Sequence, residues 1–176
     1  MQHDQTTTEP RSGVATAVSG PDGAHDFDFL HGEWYVHNRR LRHPLSGAAE
    51  WYEFEGVTYE RPLWDGRANI EEYRATLPDG ERLQGLALRL YEPATGRWTI
   101  HWSNAMAGTL DAPMVGTFRD GVGEFYGEDT YEGRRIRLRF YWRSTGANGA
   151  QWEQAFSDDD GATWETNWIM TFTRWA

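Results

Sequence analysis

The side chains able to do chemistry in this sequence are carboxylates, arginines and histidines, because the chain has neither cysteine nor lysine. Without cysteine there are no disulfides, thiolate metal sites or thiol nucleophiles. All 17 basic residues are arginine, which excludes Schiff-base chemistry and a phosphate-binding P-loop, since both need a lysine amine. No Gly-x-Ser-x-Gly elbow, His-Glu-x-x-His pair or glycine-rich phosphate loop is present. The carboxylate pairs Glu71/Glu72 and Glu128/Asp129 are sequence neighbours. On a strand neighbours point to opposite faces, so neither pair can flank one glycosidic bond. His31, Glu33 and His37 have the ligand types of a metal site, but their spacing spreads them along a strand and no metal is expected.

The stretch "SDDDGATW", residues 157 to 164, fits Ser-x-Asp-x-Gly-x-Thr-Trp and resembles the Asp-box of sialidase propellers. A propeller repeats such a box in several four-stranded blades, and 176 residues are too few for that. The one partial echo is "PATGRWTIHW". The motif is therefore read as a hairpin turn, in which Ser and Asp side chains hold nearby backbone N–H groups and Gly161 takes positive φ.

Length and composition set the frame for any site. The chain is the size of a single domain. Residues 1–24 mix polar residues with Gly and Pro, lack apolar periodicity and are expected to form a flexible tail before a domain over 25–176. No apolar run supports a secretory signal or a membrane span, so a cytoplasmic protein with no membrane partner is expected. The formal charge of −10 opposes the phosphate neutralisation that drives nucleic-acid binding, and no nucleic-acid partner is expected. Ten Trp, eight Tyr and eight Phe supply material for a core or for the wall of an apolar pocket. For assembly, the frequency of two-fold oligomers allows a homodimer.

From residue 33 onward, period-two alternation recurs between Gly, Pro, Asn and Asp clusters, giving about ten strands. They are Glu33 to Arg42, Trp51 to Glu60, Ala68 to Ala75, Leu83 to Tyr91, Trp98 to Ser103, Met114 to Arg119, Gly123 to Tyr131, Arg134 to Arg143, Gln151 to Ser157 and Glu165 to Arg174. Only "DFDFLHG" suggests a short helix. Closing these strands into an antiparallel up-and-down barrel removes both exposed edges; a two-layer sandwich is the competing arrangement. Apolar registers predict which residues face inward: Ile136, Leu138, Phe140 and Trp142; Leu86, Leu88 and Leu90 opposite Gly85, Ala87 and Arg89; Trp98, Ile100 and Trp102; Trp168, Met170 and Phe172. His101 then faces solvent. The same parity brings in four polar residues, Asn38, Arg40, Asp129 and Gln154, with Glu128 replacing Asp129 if a bulge falls at Gly127. Buried polar groups need partners, so these four mark either a structural network or a ligand site.

"FDFLHGEW" at 27–34, "YEPATGRW" at 91–98, "GEFYGEDTYEGR" at 123–134 and "WEQAFSDDDGATWETNW" at 152–168 together resemble a family of uncharacterised bacterial calycin-like proteins. The resemblance implies a lipocalin-like or fatty-acid-binding-protein-like barrel and no particular activity. Within it, Gly32-Glu33-Trp34 looks like the Gly-x-Trp signature that opens lipocalin barrels, and Arg174 looks like the arginine that stacks on that Trp from the last strand. Such a stack closes one end, which leaves the other as the ligand entrance. The related nitrobindins carry haem through a C-terminal His; this chain has no His after His101, and no cofactor is expected.

Three functions follow. The first is a carrier or sensor for a small hydrophobic or aromatic molecule, oriented by Asn38, Arg40, Asp129 and Gln154 and packed by Trp102, Trp142 and Trp168. The second is a cofactor-independent isomerase, cyclase or hydratase acting on a hydrophobic natural-product intermediate. In it Asp129 is a buried acid or base and Arg40 stabilises developing negative charge. The third is a barrel filled by its own side chains.

Overall fold

The computed structural model describes residues 22–175. Ten strands form where the alternation places them: β1 Gly32–Leu41, β2 Trp51–Leu63, β3 Ala68–Thr76, β4 Arg82–Glu92, β5 Arg97–Asn104, β6 Met114–Arg119, β7 Val122–Tyr131, β8 Arg134–Gly146, β9 Gly149–Ser157 and β10 Glu165–Arg174. Each pairs antiparallel with its neighbour in the chain, and β1 pairs with β10, so the sheet is a closed barrel and not a sandwich. The expected helix at the entry is two short 3-10 turns, Gly23–His25 and Asp28–Leu30. No helix among the described residues is long and apolar enough to cross a membrane.

The turn at 157–163 works by side-chain hydrogen bonding. Asp159 accepts from the Thr163 hydroxyl at 2.6 Å, the Thr163 N–H at 2.9 Å and the Ser157 hydroxyl at 2.7 Å. Ser157 in turn accepts from the Gly161 N–H at 2.8 Å, and Gly161 has φ +93°. The Thr163 and Ser157 bonds hold the Asp159 carboxyl down at about 2.

One end of the barrel is sealed by aromatic packing. Trp34 is fully buried, its indole N–H donates to the Leu30 carbonyl at 2.6 Å, and the Arg174 guanidinium lies 3.7 Å from its ring centroid. Arg174 also donates to the carbonyls of His31 and, at 3.1 Å, Phe29. Gly32, at φ +110°, gives the guanidinium room: a Cβ there would sit 2.9 Å from it. Above this floor Phe27 is inserted as a plug, edge-on to Trp98 at 5.0 Å and Phe118 at 4.8 Å, and stacked on Phe125 at 5.7 Å. The Trp98 indole N–H donates to the Gly23 carbonyl at 2.8 Å and Ala24 is buried. Gly23 and Ala24 thus belong to the barrel floor and not to a tail. The rest of that expected tail, residues 1–21, lies outside the described residues.

Facing follows the predicted registers on β1, β5, β8 and β10, but β4 is reversed. Leu86, Leu88 and Leu90 are half-exposed on the outside, whereas Ala87 and Arg89 are buried inside. Gly85 also faces in, and its missing side chain admits the Trp102 indole. A second departure is a bulge on β10: Thr166 faces Ala155 and Trp168 faces Gln154, leaving Asn167 as the extra residue. The β5–β6 seam is short, with pairing confined to Trp98, Ile100 and the residue between them against Met114 to Gly116.

Since Arg174 combines a guanidinium–indole stack with two carbonyl contacts, Arg174→Ala is expected to destabilise the barrel by about 2–4 kcal/mol. Arg174→Lys should recover less than half of that, because an ammonium cannot lie flat on the ring. Urea denaturation of the three proteins checks this.

Candidate functional site

Towards the other end the barrel is open. Strand ends there carry the longer loops, 42–50, 105–113 and 158–164, and beneath them lies a cavity of about 560 Å³, within the range of small-molecule sites. Its walls are mainly aromatic and aliphatic: Trp102 from β5, Phe140 and Trp142 from β8, Trp152 and Phe156 from β9, Trp168 and Met170 from β10. Arg40, Asp111, Glu128, Asp129 and Tyr131 stand round its mouth. The filled-barrel alternative describes only the lower part of this molecule.

The residues singled out from sequence fall into three groups. Trp102, Trp142, Trp168 and Gln154 line the cavity. Trp168 is fixed from both sides: its indole N–H donates to Asn38 Oδ1 at 3.0 Å, and the Arg40 guanidinium lies 4.4 Å from its ring centroid. Gln154 donates to Asn167 Oδ1 at 2.8 Å. Arg40 is half-buried at the rim and makes no ion pair among the described residues. Asn38 is fully buried but lies behind the wall, where its Oδ1 accepts from Tyr73 at 3.0 Å as well as from Trp168 and its amide donates to the Val36 carbonyl at 3.2 Å. It positions two wall residues and does not border the cavity. Asp129 is at the mouth, but exposed, with its carboxylate accepting from the Thr130 N–H at 2.7 Å. There β7 pairs with β8 but has passed the end of its pairing with β6, so the burial expected for this acid is absent.

The floor of the cavity holds a charged group that parity reasoning missed. Glu60 and Glu71 stand directly opposite each other across β2 and β3, and Asn69 stands opposite Arg89 across β3 and β4. All four are buried. Arg89 donates through Nη1 to both Glu60 oxygens at 2.8 Å and to Asn69 Oδ1 at 3.1 Å, and through Nη2 to Glu71 at 2.6 Å. The Thr58 hydroxyl donates to the other Glu71 oxygen at 3.0 Å. Two carboxylates and one guanidinium carry a net negative charge if both acids ionise, which a dry site resists. Burial pushes the Glu60 carboxyl up to about 8, with Glu71 adding to the rise and Arg89 opposing it. Glu60 is therefore the acid that keeps its proton, whereas Glu71 is the one that borders the cavity. The signal available in the sequence was balance: two acids and one arginine in alternating positions on three successive strands. Three residues that line the cavity each carry a buried side-chain nitrogen without a partner among the described residues, Arg89 Nε, Trp142 Nε1 and Asn167 Nδ2. His31, Glu33 and His37 do not converge; His37 lies outside the barrel and pairs with Glu55 at 2.7 Å.

A comparison with protein-family models finds no match, and a comparison with curated proteins finds none. Among solved structures, the chain is similar to an S-type phycobiliprotein lyase from Guillardia theta, with 13% identity, coverage of 85% of this chain and 90% of that one, and a TM-score of 0.59. A redesigned β-barrel bound to DFHBI matches at 12% identity, 83% and 99% coverage and a TM-score of 0.47. The fold is a ten-stranded, lipocalin-like antiparallel β-barrel of the calycin type.

Folded Glu60 keeps its proton up to about 8, against 4.5 for the free carboxyl. The stability tied to that proton is therefore complete below pH 4.5 and is lost as pH rises towards 8. Glu60→Gln, a neutral isostere, is expected to flatten the fall in Tm across this window in thermal melts. An unchanged slope would show that Glu60 does not hold that proton.

Proposed function

We propose that the barrel is a carrier or sensor that holds a small hydrophobic or aromatic molecule in its upper cavity. The observation that carries this reading is an interior sealed at one end and open at the other, about 560 Å³ in volume, with aromatic walls between a charged floor and a charged rim. The likeness to a phycobiliprotein lyase agrees with the barrel fold that this reading needs. The sequence resemblance to bacterial calycin-like proteins and the expectation of a cytoplasmic location belong to the same proposal.

With four tryptophans on the wall, occupancy is expected to quench intrinsic fluorescence in titrations with fatty acids, retinoids, flavonoids and polyketides. Ala87 is buried and faces the cavity, so Ala87→Phe should fill it. Affinity should fall at least about tenfold with no loss of thermal stability. No quenching by any class, or equal affinity in the filled variant, would reject the carrier reading.

A buried carboxylate bordering the cavity favours a second reading, cofactor-independent isomerisation, cyclisation or hydration, with Glu71, held by Arg89 and Thr58, as the acid or base in place of Asp129. Turnover lost in Glu71→Gln with ligand binding retained would support it. The same loss in Asp129→Asn would return the role to the rim.

A further inference from the structure

The buried floor of the cavity holds two acids for one base. Arg89 is divided between them: Nη1 donates to both oxygens of Glu60 and Nη2 to one oxygen of Glu71. With one guanidinium for two carboxyls, the group is electrically balanced only while one acid stays protonated, and burial holds Glu60 in that state up to about 8. A second cation beside the acids would balance it instead. Only one of the two can meet such a cation from the cavity. The Glu60 side chain is wholly buried, whereas 5% of the Glu71 side chain is accessible and Glu71 borders the cavity. Its carboxylate accepts one hydrogen bond from Thr58 and one from Arg89, which leaves room for a further donor.

A second observation comes from the walls. Cations already lie on aromatic faces in this interior: the Arg89 guanidinium is 5.0 Å from the Trp142 ring centroid and that of Arg40 is 4.4 Å from Trp168. Trp102, Phe140 and Trp152 present further rings to the same space, and an aromatic face attracts an ammonium as it does a guanidinium. At the mouth, burial pushes the Asp111 carboxyl up and the nearby Asp129 charge adds to the rise, so a passing cation is favoured there too. The formal charge of −10 draws cations towards the protein as a whole.

Resting on the carrier reading, we propose that the guest is a hydrophobic amine, bound as its ammonium ion. The ammonium sits on the Glu71 carboxylate at the floor, and the apolar body lies among Trp102, Phe140, Trp152 and Trp168. When it arrives, Glu60 gives up its proton to solvent and stays neutralised by Arg89, so one cation enters the buried group and one proton leaves.

The test uses three compounds that share one body: 1-naphthylmethylamine, a cation at neutral pH, 1-naphthylmethanol, which is neutral, and 1-naphthoate, an anion. In calorimetry on the full chain the amine is expected to bind about tenfold or more tightly than the alcohol, and the naphthoate no better than the alcohol. Heats measured in buffers of different ionisation enthalpy should count one proton released per amine bound. Amine affinity should accordingly rise by up to about tenfold per pH unit from about 6.5 towards 8. Of the other groups facing the cluster, Thr58 and Asn69 do not titrate, burial pushes the Tyr73 phenol up, and burial pushes the His31 imidazole down from 6.5, so none of them changes its proton in that window. Glu60→Gln should abolish the proton release and flatten the pH dependence. Glu71→Gln should reduce the amine's advantage to about twofold or less while leaving the alcohol's affinity unchanged. If the alcohol binds as tightly as the amine, or the naphthoate binds tightest by seating on Arg40, the amine assignment fails and the carrier reading stands. An amine advantage that survives Glu71→Gln, or amine binding without proton release, overturns the placement on Glu71. If none of the three binds but other hydrophobic molecules quench the tryptophans, the amine assignment alone fails; if nothing binds in either experiment, both readings fail.

Discussion

The position of Arg89 governs the rest of this barrel. A guanidinium inside a closed sheet is tolerable only with anionic and polar partners, and two neighbouring strands supply them: Glu60 from β2, Glu71 and Asn69 from β3. That requirement sets the facing of β4, because Arg89 can look inward only if Leu86, Leu88 and Leu90 look out. It also places a polar layer between the aromatic plug and the cavity. Below it, Phe27, Trp98, Phe118 and Phe125 pack without space; above it, the interior is open.

This layering accounts for the coexistence of a filled barrel and an open one in a single chain. The lower half carries the closing interactions, the Trp34–Arg174 stack and the insertion of Phe27, so the upper half need not be packed to hold the sheet together. Large aromatic residues thus do different things at different heights. Trp98 is held by the Gly23 carbonyl as part of the floor, whereas Trp102, four residues on, fills the space left by Gly85 and borders the cavity.

The strand pattern and its closure were legible because each strand alternates and each turn is marked by Gly, Asp or Pro; Trp34 and Arg174 were legible as a closing pair. Arg89 was hidden by its own strand, where three leucines in alternate positions point to the wrong face. Its true facing depends on partners 29 and 18 residues away in sequence, which no reading of one strand supplies. Asn167 was hidden for another reason. The bulge that turns it inward leaves the Trp168, Met170, Phe172 alternation intact, so nothing in the pattern marks the extra residue. Asp129 had the right parity but lies where β7 has reached the rim, since parity reports a face and not a depth.

The short β5–β6 seam sets a timescale. Only three residues of each strand are paired there, and the chain between them crosses the open end as the loop 105–113, which carries the exposed Met106 and Leu110. Backbone pairing is therefore sparsest at one place on the cavity's perimeter, and local opening is least costly where the fewest ladder bonds must break. On the carrier reading, the walls would set how tightly a guest is held, and this seam how readily it comes and goes.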